Sequence, residues 1–148
     1  MNPRDYKRPV SVLVVIYTAV GEVLLLERLQ PAGYWQSVTG SLHWNEAPAE
    51  AARRELSEET GLEIDGQPID CGYCNRFEIL PAWRARYAPQ SRENVEHVFR
   101  LELPSRVPVR LNPGEHRDFC WLPAGVAAQR ASSYTNQMAI ERLVVDRQ

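Results

Sequence analysis

Between Gly40 and Leu62 the chain reads GSLHWNEAPAEAARRELSEETGL, and one turn of that stretch restricts the fold more than any other. Glu55, Glu58 and Glu59 stand three and four residues apart, so in a helix their carboxylates share a single arc about one turn long. Each like-charge pair at this spacing opposes the helix by roughly 0.2–0.5 kcal/mol, so the arrangement needs a compensating cation. Pro48 suits a first turn, Gly61 suits the left-handed residue beyond the last, and Ala49 to Leu56 are mostly good helix formers, which predicts a helix over Pro48 to Thr60. On a 3.6-residue wheel Ala49, Ala52 and Leu56 form the apolar stripe with the carboxylate arc beside it. The acids then sit at a buried rim, which argues against the commoner reading of a solvated acidic face. Oxygen ligands of this kind favour Mg2+ or Mn2+, whereas zinc would want His or Cys.

The whole chain sets few further limits. Its 148 residues, 44% hydrophobic and 24% charged, suit one domain spanning 1–148 with a real core. A net charge of -2 argues against a nucleic-acid polymer as partner, while a local basic cluster can still hold a small polyphosphate. Arg4, Lys7 and Arg8 before the apolar run Val10 to Val20 imitate a signal peptide. The run passes through Gly21 and Glu22 into a second one, Val23 to Leu26, and reads better as two strands and a tight turn. It is too interrupted to span a bilayer, so a cytoplasmic protein with no membrane partner is expected. Cys71, Cys74 and Cys120 are odd in number and read as free thiols. The lone CGYC would place its two thiols on opposite faces of a strand, against a metal or redox site.

In Pro9 to Thr18 both alternating faces are apolar, Val10, Val12, Val14 and Ile16 on one and Leu13, Val15 and Tyr17 on the other, so this strand is covered from both sides. Val23 to Arg28 is its hairpin partner, and Tyr34 to Val38 leads into Gly40. Gln67 to Leu80 contains another strand, ended or kinked by Pro81. In Glu93 to Leu103 the residues Val95, His97, Phe99, Leu101 and Leu103 alternate with polar Glu96, Arg100 and Glu102, which points Glu96 to solvent. The segment between carries Arg84 and Arg86, suited equally to substrate and to water. Pro104 to Gly114 is a loop, Phe119 to Leu122 a short strand, and a last helix capped by Ser132 or Ser133 buries Ile140, Leu143 and Val144.

The central stretch resembles the Nudix box, G-x5-E-x7-R-E-U-x-E-E-x-G-U with U a bulky aliphatic residue, matched by Gly40, Glu46, Arg54, Glu55, Leu56, Glu58, Glu59, Gly61 and Leu62. Seven fixed identities at about one in fifteen each make a chance match on the order of one in 10^8 per window. The resemblance implies an α/β/α sandwich with a mixed sheet, and an enzyme hydrolysing a diphosphate linked to another moiety. It implies metal held by Glu55 and Glu59, with Glu58 a further ligand or the base for water, to neutralise phosphate charge. Arg54 would orient these acids and Gly40 and Gly61 would serve the backbone, with Glu46 structural beside them. Many members add an acid from outside the box. Glu93, Glu96 and Glu115 are candidates, and Glu115 is favoured because it precedes a strand from which it can reach inward. His116 either assists Glu115 or is structural, and His43 and His97 receive no role.

The box cannot choose the substrate. Short motifs outside it, YKRPVSVLVVIY at 6–17, WQSVTG at 35–40, FEI at 77–79, RYAP at 86–89, EH at 115–116 and AIE at 139–141, together resemble the Nudix subfamily that releases pyrophosphate from 7,8-dihydroneopterin triphosphate in folate synthesis. Members of that subfamily also act on deoxynucleoside triphosphates such as dATP, so the alternative is a general nucleoside triphosphate pyrophosphohydrolase acting on dATP or oxidised nucleotides. Lys7 and Arg28 suit a triphosphate, and Thr39 could donate from the turn entering the box, although each also has a plain surface reading. Phe77, Glu78, Ile79 and Leu80 could supply a flat slot for a pterin, with Ser133 as a donor and Phe77 alternatively a core residue. A monomer acting on a small triphosphate is expected.

Overall fold

The computed structural model describes residues 3–147. Its first strand, β1 (Val10–Thr18), turns through Gly21 into β2 (Glu22–Arg28). Gly21 has φ +83°, a conformation that costs a residue with a Cβ, and its N–H donates to the Thr18 carbonyl at 2.9 Å. Two short strands follow, β3 (Trp35–Gln36) and β4 (Val38–Ser41), then the helix α1 (Pro48–Thr60) with the bounds its spacing predicts. Beyond it lie β5 (Ile69–Glu78), a 3-10 turn at Pro81–Arg86, β6 (Glu93–Leu103), β7 (His116–Pro123), α2 (Ala124–Arg130) and α3 (Tyr134–Leu143).

The seven strands form one mixed sheet in the order β3-β2-β1-β6-β5, with β4 also on β1 and β7 also on β2. Only β1 and β6 run parallel, from Val10↔Val95 to Thr18↔Leu103. Along its other edge β1 is shared: Tyr17 pairs Val23 of β2, whereas Ser11 to Val14 pair Ser41 to Val38 of β4. The sheet therefore splays beside β1, and the ends of β2, β3, β4 and β7 line the cleft described below.

Helices cover both faces, as the apolar character of both faces of β1 requires. Leu13, Val15 and Tyr17 pack with Val23, Leu25 and Val98 against α2 and α3. Val12, Val14 and Ile16 pack with Leu24, Leu26, Phe99 and Leu101 against Ala52 and Leu56 of α1. Each such fully buried Val, Leu or Ile contributes roughly 1.5–3 kcal/mol relative to an exposed one. Among the described residues no helix is long and apolar enough to cross a membrane.

Four details depart from expectation. Ala49 is exposed and Ala51 is buried, so the buried face of α1 includes Ala51, Ala52, Glu55, Leu56 and Glu59. The helix is rotated so that two carboxylates lie within the packed face and not beside it. The strand expected at Phe119 to Leu122 begins instead at His116, because its pairing with β2 continues to Arg28↔His116 and draws polar residues into the sheet. The helix α2 has no counterpart in the sequence reading; seven residues, AGVAAQR, are too short to display a period. Finally, Glu96 does not face solvent. It is 5% exposed, because the first half of β6 turns Asn94, Glu96 and Val98 toward the α3 side and leaves Val95 and His97 half-buried on the other.

The three cysteines are free. A register shift between Asp70 and Cys74, with Gly72 at φ +77°, separates the CGYC thiols. Cys71 packs against the α2–α3 side, whereas Cys74 is exposed with its Sγ 3.2 Å from His97 Nδ1.

Candidate active site

Arg54 is the hub of the acidic turn. Its Nε and Nη2 donate to the two oxygens of Glu46, both at 2.8 Å, a forked geometry only guanidinium provides. The Nη1 donates to Glu55 at 2.8 Å and to Glu58 at 3.2 Å, and Nη2 also reaches the Ser41 carbonyl at 3.1 Å. One side chain thus fixes three carboxylates and ties α1 to β4. The pairing holds the Glu46 carboxyl down at about 2, the Arg54 hydrogen bonds being the first cause.

Gly40 explains why β4 can lie so close to α1. A Cβ placed there would fall inside the Glu55 carboxyl group, so any side chain at this position would drive Glu55 away. Gly61 ends the helix at φ +76°, its N–H donating to the Ser57 carbonyl at 2.9 Å.

Glu59 is wholly buried, and neither of its oxygens meets a donor in good hydrogen-bonding geometry, although the Thr39 backbone lies close enough to favour the charged form. Burial, and then the Glu55 carboxyl beside it, push its pKa well above the ordinary value. Glu115, just before β7, is raised for the same reasons, burial first and then repulsion from Glu55 and Glu58. His116 is 3% exposed with Nε2 3.7 Å from Glu59 Oε1. Burial first, and then Arg28, lower its pKa to about 4, so at neutral pH the ring carries no charge to offset Glu59.

Glu59, Glu115 and His116 each offer a ligand atom, all within 4.8 Å of one another. Two orphaned carboxylate oxygens in a cluster of acids are unfavourable alone and fit a hard divalent cation, which takes several oxygen ligands. Of the expected set, Glu59 and Glu115 stand in this cluster, Glu55 lies beside both, and Glu58, near enough to Glu115 to repel it, is exposed as Glu115 is. His116, expected either to assist Glu115 or to be structural, joins the cluster because β7 begins earlier than expected and buries it. Of the other outer-acid candidates, Glu93 lies 3.8 Å from Arg76 on an exposed strand end, and Glu96 lines the second cavity described below.

Beside the acids a cleft of about 580 Å³ is lined by Glu55, Glu115, Lys7, Arg28 and Arg86. Lys7 is an exposed side chain, yet the atoms crowding its ammonium lower its pKa, by desolvation first and then by Arg86 and Arg28, while Glu55 and Glu115 pull it back. Three cations packed together repel, and a polyanion between them would relieve that repulsion. Of the two arginines left open, Arg86 lines the cleft. Thr39 lines it too, but within β4 rather than a turn, and its hydroxyl already donates to the Val12 carbonyl at 2.8 Å. With its proton so engaged, the hydroxyl presents its oxygen to the cleft as an acceptor.

A second cavity of about 290 Å³ adjoins the first, sharing Lys7, Arg28, Thr39, Gly40 and Arg86 as lining. Phe77, Glu78, Ile79, Leu80 and Ser133 all line it, as the sequence reading places them. Phe77 is half-buried, Ile79 is buried and Leu80 is 51% exposed, so Phe77 is a wall and not core. Ser133 caps α3, its Oγ accepting from the Asn136 N–H at 3.3 Å and lying 3.0 Å from Thr135 Oγ1. Four aromatic residues of this wall escape the sequence reading: Tyr34, Trp83, Tyr87 and Tyr134. Tyr34 and Trp83 meet edge to face at 5.6 Å, and Arg28 stacks on Trp83 at 5.6 Å. The prolines and arginines around Trp83 hide it, because they break any periodicity.

A family model for the NUDIX domain matches residues 7–139. The dihydroneopterin triphosphate diphosphatase of Escherichia coli K12 is 40% identical over 99% of each chain, and that of Haemophilus influenzae is 41% identical over 93% of this chain and 89% of its own. The solved structure of the E. coli dihydroneopterin triphosphate pyrophosphohydrolase superposes with a TM-score of 0.89, at 41% identity, over 95% of this chain and 98% of that one.

Proposed function

The chain belongs to the Nudix family of hydrolases, and from that premise we propose that it cleaves 7,8-dihydroneopterin triphosphate to the monophosphate and pyrophosphate. The observation that carries the reading is the junction of two unlike cavities, an acid-and-cation cleft and an aromatic slot, through a shared collar of Lys7, Arg28 and Arg86. A ligand with a triphosphate at one end and a flat heterocycle at the other fits that junction. The similarity to dihydroneopterin triphosphate diphosphatases over nearly the full length of both chains supports the same substrate.

In this reading Glu55, Glu59 and Glu115 would hold Mg2+, with Mn2+ as a substitute of like chemistry, and Glu58 is left as the base for water. When bound, the cation neutralises phosphate charge and orients the phosphates for attack by water. Lys7, Arg28 and Arg86 take up the remaining negative charge. Arg54 keeps Glu55 and Glu58 in place and does not touch the substrate. Glu58 receives the proton of the attacking water at Oε1: it is exposed, its Oε2 is occupied by Arg54, and Glu59 is closed to solvent. The water oxygen joins phosphorus, the bridging bond between the first and second phosphates breaks, and pyrophosphate leaves. Phe77 and Trp83 flank the ring in the slot, and the protein works as a monomer.

Phosphorus NMR of the reaction with Mg2+ tests this directly. Pyrophosphate as the sole phosphorus by-product is expected, with turnover abolished by excess EDTA. Stepwise release of phosphate, or a kcat/KM for dATP well above that for the pterin triphosphate, would overturn the assignment.

A further inference from the structure

Of the basic residues near the start of the chain, Lys7 belongs to the collar, whereas Arg8 beside it is engaged with backbone. Its Nη1 donates to the carbonyl oxygens of His43 at 2.9 Å and Glu46 at 3.0 Å, with that of Trp44 at 3.4 Å between them in sequence. Among the described residues no carboxylate pairs with Arg8. The guanidinium therefore serves the main chain of one turn, in the segment that joins β4 to α1.

Carbonyl dipoles that converge repel one another, and a cation at their focus turns that repulsion into attraction. Within the turn the Glu46 N–H donates to the His43 carbonyl at 3.0 Å, and the His43 N–H donates to Glu46 Oε1 at 2.9 Å. These bonds shape the turn, and Arg8 fixes where it lies. Glu46 is consequently held between two arginines. Arg8 grips its backbone from 38 residues away, and Arg54 grips its carboxylate through the fork. The remaining nitrogen of Arg54, Nη1, reaches Glu55 and Glu58, so a shift of the turn is passed on to both acids. Misplacement by about 1 Å is enough to slow a reaction that depends on aligned groups.

We propose that Arg8 is a positioning residue for hydrolysis: it seats the 43–46 turn, through it the Glu46 carboxylate, and through that the guanidinium of Arg54. The inference rests on the reading above only in taking Glu55 and Glu58 as groups that serve turnover. Arg8 also lines the cleft, so a direct hold on phosphate is the rival role, and the two roles divide differently between kcat and KM. The segment around Arg8 has ties of its own: Trp44 Nε1 donates to the Tyr6 carbonyl at 2.9 Å, and the Lys7 N–H to the Arg86 carbonyl at 2.8 Å. Removing the guanidinium thus frees the turn and leaves the segment in place.

Arg8→Met keeps most of the aliphatic stem and removes the donors. It should lower kcat about tenfold on every triphosphate the protein cleaves, with KM changed less than threefold. A tenfold rise in KM at unaltered kcat would make Arg8 a phosphate contact and overturn the proposal. The deciding measurement is a double-mutant cycle on kcat with Glu46→Ala. In the Glu46→Ala background Arg8→Met should lower kcat less than twofold, because the link it acts through is already gone. Losses that multiply would show Arg8 acting elsewhere, as a general support of the fold would, and the proposal falls. Should Arg8→Met not fold, Arg8→Lys takes its place in the cycle, since an ammonium can reach one of the carbonyls without spanning the turn. A loss of about threefold that disappears in the Glu46→Ala background carries the same meaning, and one that persists overturns it. The cycle is run on both dATP and the pterin triphosphate, so an inert pterin triphosphate removes the substrate reading while the dATP cycle still decides the role of Arg8.

Discussion

The acidic end of the groove and the aromatic slot meet at the same three cations, yet they are assembled in opposite ways. At the acidic end most of the chemistry lies within Gly40 to Gly61, where the helical repeat alone brings Glu55 and Glu59 together and lets Arg54 reach Glu58. The slot draws on β1, β5, β6, the Pro81–Arg86 turn and α3, and its floor of Ser11, Asn94 and Glu96 exists only because β6 lies parallel to β1 in the register Ser11↔Glu96. In the proposed function the acidic end handles phosphate, which is common to all candidate substrates, and the slot handles the part that differs among them. Changes at the first should therefore act on kcat for every triphosphate alike, and changes at the second on KM for particular bases.

The sharpest way to break this division is Glu59→Gln. It should lower kcat on the order of 10²–10³-fold for pterin and nucleotide substrates equally. In the absence of divalent cation the variant should melt at the same temperature or higher, since a buried carboxyl lacking partners has been neutralised. A kcat within threefold of the unaltered rate would remove Glu59 from the chemistry. Next in size is Arg54→Lys, which keeps the charge but cannot fork onto Glu46 while holding Glu55 and Glu58. A loss of about 10- to 100-fold in kcat, again independent of the base, is expected, and steady-state kinetics on two substrates would reveal any base dependence that contradicts it.

At the slot, Phe77→Ala should raise KM for the pterin triphosphate roughly tenfold with kcat nearly unchanged. A folded variant with unaltered KM would take Phe77 out of recognition. The smallest effect concerns acid stability. Glu46 has its carboxyl depressed from 4.5 to about 2 by Arg54, so its contribution is complete above pH 4.5 and is lost as pH falls through 2. Glu46→Gln should accordingly lower stability at pH 7 by about 1 kcal/mol, given partial solvent screening, and leave it nearly unchanged near pH 2. Urea denaturation at the two pH values measures the difference, and an equal loss at both would place the Glu46 contribution outside its ion pair.

The contrast between the two ends also explains which features are legible in the amino-acid sequence. The helix bounds, the orienting role of Arg54 and the strands of the central hairpin all follow from spacing within one element or across one turn. Alternation counted from Phe99 and Leu101 directs Glu96 to solvent only on the assumption that a single face of β6 is buried. Both faces are covered, and there alternation assigns a residue to a side without saying which side meets water. Trp83 and Tyr34 escape for a related reason: they reach the slot through a 3-10 turn and a strand edge, which carry no period. The thirteen residues of α1 bury Ala51 and leave Ala49 exposed, and the absence of a side chain on Gly40 leaves the Glu55 carboxyl room on that buried face.

Sequence alone determined a helix that collects carboxylates, the clamp that orders them and the class of chemistry they serve, since the distances involved are set by bonds a few residues apart. Tertiary structure alone decided that Glu115 and His116 close on Glu59, that three distant cations form one collar, and that Glu96 and Asn94 lie beneath an aromatic slot. Those placements depend on which strands lie side by side and in what register, and that is fixed by the packing of the whole sheet between its helices, where no local pattern in the chain reports it.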